Sequence, residues 1–352
     1  MSETRSRCLV SIATCGYLPQ AFVLASSFIQ HNPGCDVLLF VPDLSESAAR
    51  SAAWPRPESV RVMGLDAIPE SRLERMRNYF DAFEFSCAAK SFVLGHATEA
   101  LGYDKALLLD PDILCYAPLD TVWARLETNA MCVTPHSNSP MPRDGCAPDD
   151  REMLNTGFVN GGFWAVSRGE ASSRCLAWVR DKVEHFGFFL PRLNLYADQG
   201  WMSALPWLFP EETGVMRRPG HNVAYWNLHE RPLRLAANAR LMCGNEPLVF
   251  FHYSGFDEAV PGQLSRHSTR RYAEETNQVL ATLLADYAGR LKRTSQDIPR
   301  ITADRPCTRA PISRRLGIYR ALHGEEAELK MRPGDLLALR LRDWFRALRG
   351  AG

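Results

Sequence analysis

The run Ala106-Leu107-Leu108-Leu109 empties directly into Asp110-Pro111-Asp112, and no other junction constrains this chain as much. Four consecutive apolar residues predict a strand covered on both faces, and Pro111, which lacks an amide hydrogen, predicts that the ladder stops there. The two carboxylates then lie at a strand's carboxyl end. In an open α/β sheet that edge is where ligands bind, and two Asp side chains separated by one stiff residue can share a hard divalent cation that also takes diphosphate oxygens. The same three residues are also ordinary turn chemistry, with Asx side chains bonding nearby backbone amides.

Strand and helix signals alternate around this junction. Cys8 to Ala13 reads as a strand, Tyr17 to His31 has helical spacing ended by Pro33-Gly34, Asp36 to Val41 is a second strand, Ser45 to Ala53 a short helix and Val60 to Gly64 a third strand. Such alternation predicts an α/β fold, Rossmann-like, with a mostly parallel sheet and helices on both faces. Lys90 opens a helix-like stretch reaching about Leu101. Beyond the junction, Met131 to Thr134 and Gly161 to Val166 read as strands, Ala171 to Phe186 as an amphipathic helix, Leu248 to Phe251 as a last core strand and Arg270 to Leu291 as a long helix. Residues 187 to 232, rich in aromatics, Pro and Gly, are expected to cover the sheet edge without regular structure.

The chain of 352 residues, 46% hydrophobic and 23% charged, has the composition of a soluble globular protein large enough for one sizeable core and a smaller appendage. Its net charge of +1 hides an asymmetry: residues 305 to 352 hold eleven Lys+Arg against five Asp+Glu, leaving 30 against 35 elsewhere. Pro299, Pro306 and Pro311 mark a linker, so the expected division is a catalytic domain over 1–304 and a basic amphipathic helical extension over 305–352. In that extension Leu336, Leu337, Leu339, Leu341, Trp344, Phe345 and Leu348 interleave with Arg340, Arg342, Arg346 and Arg349 at helix-compatible spacing. A helix of that kind either lies on an anionic membrane surface or docks on the body with its arginines solvated. Ten cysteines without a Cys-x-x-Cys pair read as reduced core thiols, and the amino terminus lacks the order of a signal peptide. No stretch reaches the ~20 apolar residues of a membrane span. The expected location is cytoplasmic, at most peripheral to the inner membrane.

Four further segments keep company with the junction: Lys90-Ser91-Phe92 upstream, then Asn160-Gly161-Gly162-Phe163-Trp164, Tyr196-Ala197-Asp198-Gln199 and Phe251-His252-Tyr253-Ser254-Gly255. This ordered set, over roughly residues 7 to 260, resembles the retaining nucleotide-sugar glycosyltransferases of the GT-A fold, especially glycosyltransferase family eight, which includes glycogenin and bacterial lipooligosaccharide galactosyltransferases. Two departures stand out. Family members commonly carry Lys-Pro-Trp after the last glycine where this chain has Phe256-Asp257-Glu258, and an acid near the nucleobase where this chain has Ala13-Thr14-Cys15. Leu264-Ser265-Arg266-His267 is the candidate replacement for the missing phosphate lysine.

The resemblance implies a metal-dependent hexosyl transfer from a nucleotide-diphosphate sugar, a UDP-sugar, to a glycan or lipid-linked acceptor in bacterial surface polysaccharide synthesis, with no nucleic acid partner. It places Mn²⁺, or Mg²⁺, on Asp110, Asp112 and His252; hard oxygens with one imidazole favour the former. It assigns Lys90, Asn160, Gly161, Asp198, Ala13 and Thr14 to the donor, and Asp198 and Gln199 to catalysis. Because a neutral Gln is a poor nucleophile, front-face transfer is expected over double displacement. Each residue also has a structural reading: a core histidine for His252, a solvated helix residue for Lys90, a bulge at Asn160-Gly161-Gly162 and a helix cap for Asp198. Trp201, Trp207, Tyr225, Trp226 and His229 are either a sugar-stacking surface or core. Two other functions remain: a carbohydrate- or nucleotide-binding protein without turnover, and a sugar-1-phosphate nucleotidyltransferase, against which Ala13-Thr14-Cys15-Gly16-Tyr17 lacks the usual Gly-rich, basic loop.

Overall fold

A computed structural model describes residues 7–323 apart from 56, 261, 309 and 310. Seven strands form the central sheet. In chain order they are β1 (Arg7–Ile12), β2 (Asp36–Val41), β3 (Val60–Gly64), β4 (Lys105–Leu109), Met131–Pro135, Val159–Ser167 and Thr213–Val215. Across the sheet, Thr213–Val215 and Met131–Pro135 lie on one side of Val159–Ser167, and β4, β1, β2 and β3 follow on its other side. All pairings are parallel except those of Val159–Ser167, which runs antiparallel to both neighbours. The sheet is therefore mostly parallel.

Alternation along each strand explains the helices on both faces. Leu107 and Leu109 of β4 join one apolar core with α1 (Leu18–His31), while Ala106 and Leu108 join another with the helix Ala82–Gly95 and the helix Glu170–Phe186. Burial on both faces is what a continuous apolar run requires. The helix holding Lys90 begins eight residues before it, at Ala82, on a capping box: Asp81 accepts from the Glu84 amide and Glu84 accepts from the Asp81 amide.

Two expectations are corrected here. Residues 187 to 232 are not irregular throughout, because Gln199–Leu208 is a helix that packs on Val159–Ser167. The strand Phe250–His252 does not join the central sheet; it pairs antiparallel with Ile113–Cys115 in a two-stranded ribbon, covered by the long helix Glu274–Asp297 through Leu114, Phe251, Val279 and Leu283. The helix Pro311–His323 lies against the body: Arg314 bonds both Glu84 oxygens and the Tyr79 carbonyl. The Leu336 to Arg349 pattern falls outside the described residues. No described helix is long and apolar enough to cross a membrane.

Candidate functional site

The apolar run of β4 ends at Leu109, and Pro111 turns the chain so that Asp112 directly precedes the ribbon strand Ile113–Cys115. In the ribbon His252 stands opposite Ile113, and the Tyr253 amide donates to the Asp112 carbonyl at 2.8 Å. Residues far apart in sequence are thus held across two strands. Potential ligand atoms of Asp110, Asp112 and His252 lie within 4.8 Å of one another, the only such cluster among the described residues. His252 Nε2 is 3.0 Å from Asp112 Oδ1. Burial lowers the histidine's pKa, but the Asp112 carboxylate outweighs it and raises the value, while the same contact lowers that of Asp112 against its own burial.

The antiparallel strand supplies the wall opposite these ligands. Its Gly162 carbonyl accepts from the Asp110 amide at 3.0 Å, which lays Asn160-Gly161-Gly162 alongside the Asp-Pro-Asp turn. A Cβ on Gly162 would collide with the His252 ring and stand 2.9 Å from Asn160 Oδ1, so only glycine admits the imidazole there.

Lys90 reaches this wall from the helix interior. Its ammonium donates to the Gly161 carbonyl at 2.8 Å, pairs with Asp110 Oδ1 at 2.8 Å and lies 3.6 Å from Asp198 Oδ2. It is buried and not solvated. Burial would depress its pKa, yet the two carboxylates raise it and keep the charge. Asp198 is also buried, its pKa raised by desolvation and eased by Lys90. It occupies the residue before the helix Gln199–Leu208, but its side chain makes no capping bond, and Oδ2 has no hydrogen-bond partner. The carboxylate faces Gly161, where a Cβ would stand 3.4 Å from it. Gln199 is clamped at both ends: Oε1 accepts from the Gly161 amide at 3.0 Å and Nε2 donates to the Thr156 carbonyl at 2.8 Å.

Asp110, Asp112, His252, Lys90, Gly161, Asp198 and Gln199 therefore converge. Ala13 and Thr14 follow β1, whose parallel pairing to β4 puts them at the same sheet edge, with Ala13 buried and its amide on the Phe40 carbonyl. The neighbouring Cys15 amide donates to Asp43 Oδ1 at 2.9 Å, so an acid does stand by this loop, contributed from beyond β2. Asn160 sits in the group too, with its carboxamide engaged by the protein: Oδ1 accepts from the Gly162 amide at 3.0 Å and from Asn222 Nδ2 at 2.9 Å. Arg266 and His267 lie exposed beside Gly255, where a Cβ would stand 2.6 Å from the His267 ring.

Three residues of this site escaped the sequence reading. His136, Asn222 and Asn227 are buried; Asn222 bonds Asn160, Thr134 and His252, and Asn227 bonds the His136 and Asn222 carbonyls. Burial pushes the His136 pKa down to about 4, so its ring is neutral. The aromatic group dissolves into separate roles. Trp226 packs edge-on against both His136 and His252, Trp201 packs against Trp178 and Phe186, and Trp207 is 83% exposed.

No family model matches the chain. Two uncharacterized Bacillus subtilis proteins are similar: YfnF, 21% identical over 260 residues that make up 73% of this chain and 84% of YfnF, and YfnD, 28% identical over 149 residues, 42% and 45% of the two chains. Among solved structures, the galactosyltransferase LgtC in complex with donor and acceptor sugar analogs is 17% identical with a TM-score of 0.49, over 80% of this chain and 95% of LgtC. The glycosyltransferase GlyE of Streptococcus pneumoniae is 15% identical with a TM-score of 0.45, over 84% of this chain and 66% of GlyE.

Proposed function

We propose that this protein is a metal-dependent, retaining glycosyltransferase that moves a hexose from a nucleotide-diphosphate sugar, a UDP-sugar, to a glycan or lipid-linked acceptor of a bacterial surface polysaccharide. The observation that carries the reading is the meeting of Asp110, Asp112 and His252 within 4.8 Å at the sheet edge, directly beside a buried Asp198 and a clamped Gln199. Two carboxylates and one imidazole suit a hard divalent cation, with the imidazole tilting the preference toward Mn²⁺. A divalent cation bound there supplies Lewis-acid neutralisation of the departing nucleoside diphosphate.

The chain's own residues do the rest. Asp198 Oδ2, which makes no hydrogen bond and has only the Lys90 ammonium at 3.6 Å, is the atom assigned to donor hydroxyls. Lys90 places its positive charge between Asp110, at 2.8 Å, and Asp198, at 3.6 Å, at a position the Gly161 carbonyl fixes. The Gln199 carboxamide is neutral and held at both ends, which suits it to stabilise positive charge at the anomeric carbon and not to attack it. The acceptor therefore attacks from the leaving-group face, and configuration is retained. Ala13 and Thr14 flank the nucleobase, and Gly161 with Gly162 admit the sugar close to the backbone. The reading extends to an anionic membrane surface as the place where the basic tail meets a lipid-linked acceptor.

The test is transfer from UDP-α-hexoses with Mn²⁺ supplied, comparing the wild type with Asp112→Asn. The variant removes a charged ligand from a strand end and not from the core, so it should fold normally and lose activity by about 100-fold or more. The new linkage should be α by proton NMR. Near-wild-type activity of the variant removes the metal from the mechanism, and a β product removes retention.

A further inference from the structure

We propose that Asn222 is a positioning residue that fixes which nitrogen of His252 faces the cation and ties that ligand, through Asn160, to Gln199. The proposal rests on the metal-dependent reading above. Its basis is a chain of hydrogen bonds whose direction is set by two backbone groups of unambiguous polarity.

The Gly157 carbonyl can only accept. It lies 2.7 Å from His136 Nδ1, so that nitrogen carries the hydrogen, and Nε2 of the neutral ring is left as an acceptor. Asn160 meets that Nε2 at 3.2 Å with Nδ2. At the other end of the same carboxamide the Gly162 amide, which can only donate, lies 3.0 Å away and makes that end Oδ1. The two constraints agree. With Asn160 Oδ1 so placed, Asn222 turns Nδ2 to it at 2.9 Å and to Thr134 Oγ1 at 2.8 Å, which uses both amide hydrogens. Asn222 Oδ1 therefore faces His252 Nδ1 at 3.3 Å as an acceptor. Nδ1 carries a hydrogen for Asn222, and Nε2, which donates to the Asp112 carboxylate at 3.0 Å, is the nitrogen left to exchange its hydrogen for a cation.

No other side chain meets these demands. Asn222 has φ 53°, in the left-handed region that Asn tolerates and branched residues do not. Asn227 holds that turn, accepting from the Ala224 amide and donating to the Asn222 carbonyl, each at 2.9 Å. The remaining Asn160 Nδ2 hydrogen points toward Gln199 Oε1 at 3.5 Å. A rotation of Asn222 would thus disturb the cation's imidazole and the carboxamide beside the sugar together.

Isothermal titration of Mn²⁺ into full-length protein, without donor, reads the first of these effects. Asn222→Gly keeps the left-handed turn but has no acceptor for His252 Nδ1 and no donor for Asn160; Mn²⁺ affinity should fall about 10- to 100-fold. Thr134→Val removes the other partner of the same Asn222 amide, leaves the His252 arm intact and should stay within about threefold of the wild type. Equal losses in both variants would reduce Asn222 to a packing residue. Wild-type affinity in Asn222→Gly would overturn the proposal outright. If Mn²⁺ fails to bind even the wild type, the metal-dependent reading fails and takes this inference with it.

Discussion

Single residues at this site are tuned by burial as much as by neighbours. Lys90 shows the balance: desolvation alone would favour its neutral form, and it stays charged because Asp110 and Asp198 are both in reach. Histidines without a carboxylate go the other way. Burial takes His136 to about 4 and His221 to about 3 from a usual 6.5, with His221 Nε2 held 2.8 Å from Thr121 Oγ1. A base whose pKa is depressed in the fold binds fewer protons there than in the unfolded chain. Its contribution to stability is complete above pH 6.5 and is lost as the pH falls toward 4. From pH 7 to pH 5 each such histidine should cost about 2 kcal/mol. Urea denaturation at the two pH values checks this: His221→Gln, whatever its absolute stability, should shrink the pH 7 to 5 difference by about 2 kcal/mol. An unchanged difference would mean that His221 is not held neutral in the fold.

Among elements, the start of the helix Ala82–Gly95 is where three segments are joined. Glu84, fully buried, closes the capping box, accepts from the Phe189 amide at 2.8 Å and receives Arg314, whose Nη2 is 2.7 Å from Oε1. Phe188 continues the link, since its carbonyl accepts from the Ala197 amide one residue before Asp198, and its ring lies under the Arg314 guanidinium. The helix Pro311–His323 thereby braces the segment that presents Asp198 and Gln199. Removing one partner of a buried ion pair leaves the other uncompensated, so Arg314→Ala should lower the unfolding free energy by about 3 kcal/mol. The double variant Glu84→Gln/Arg314→Ala should be less destabilised than the sum of the single changes by more than about 1 kcal/mol. Additive losses in that cycle would show that the two side chains do not depend on each other.

At the scale of the whole molecule the charge is unevenly spread, with the basic excess after residue 304. Part of that stretch is spoken for: Arg305 pairs with Asp66 and Glu74, and Arg314 with Glu84. A membrane contact would therefore fall to residues 324 to 352, and a truncation that tests it must spare the bracing helix by ending at His323. The full chain should pellet with anionic and not neutral vesicles, more weakly at high salt, because each basic residue near such a surface adds roughly 1 kcal/mol. The shortened chain should stay in solution. Equal pelleting of the two chains, or none by either, would deny the tail this role.

Much of this architecture was legible in local pattern. Asp36 to Val41 and Val60 to Gly64 are strands with the expected bounds, and the apolar run before Asp110 ends where Pro111 requires, because strand periodicity and a missing amide act within a few residues. The helix holding Lys90 starts at Ala82 and not at Lys90 as expected, because the capping box of Asp81 and Glu84 and not the apolar run around Lys90 sets its beginning. Asp110, Asp112 and His252 could be named together as candidate ligands by resemblance, but no local pattern gives the geometry by which they converge. That depends on one antiparallel strand set into a parallel sheet and on a ribbon that lays Phe250–His252 against Ile113–Cys115. Asn222 and His136 lay beyond reach. No local pattern gives either a role, and their roles follow from which backbone donor or acceptor faces them after the chain has closed, a property of contacts distant in sequence that no local periodicity encodes.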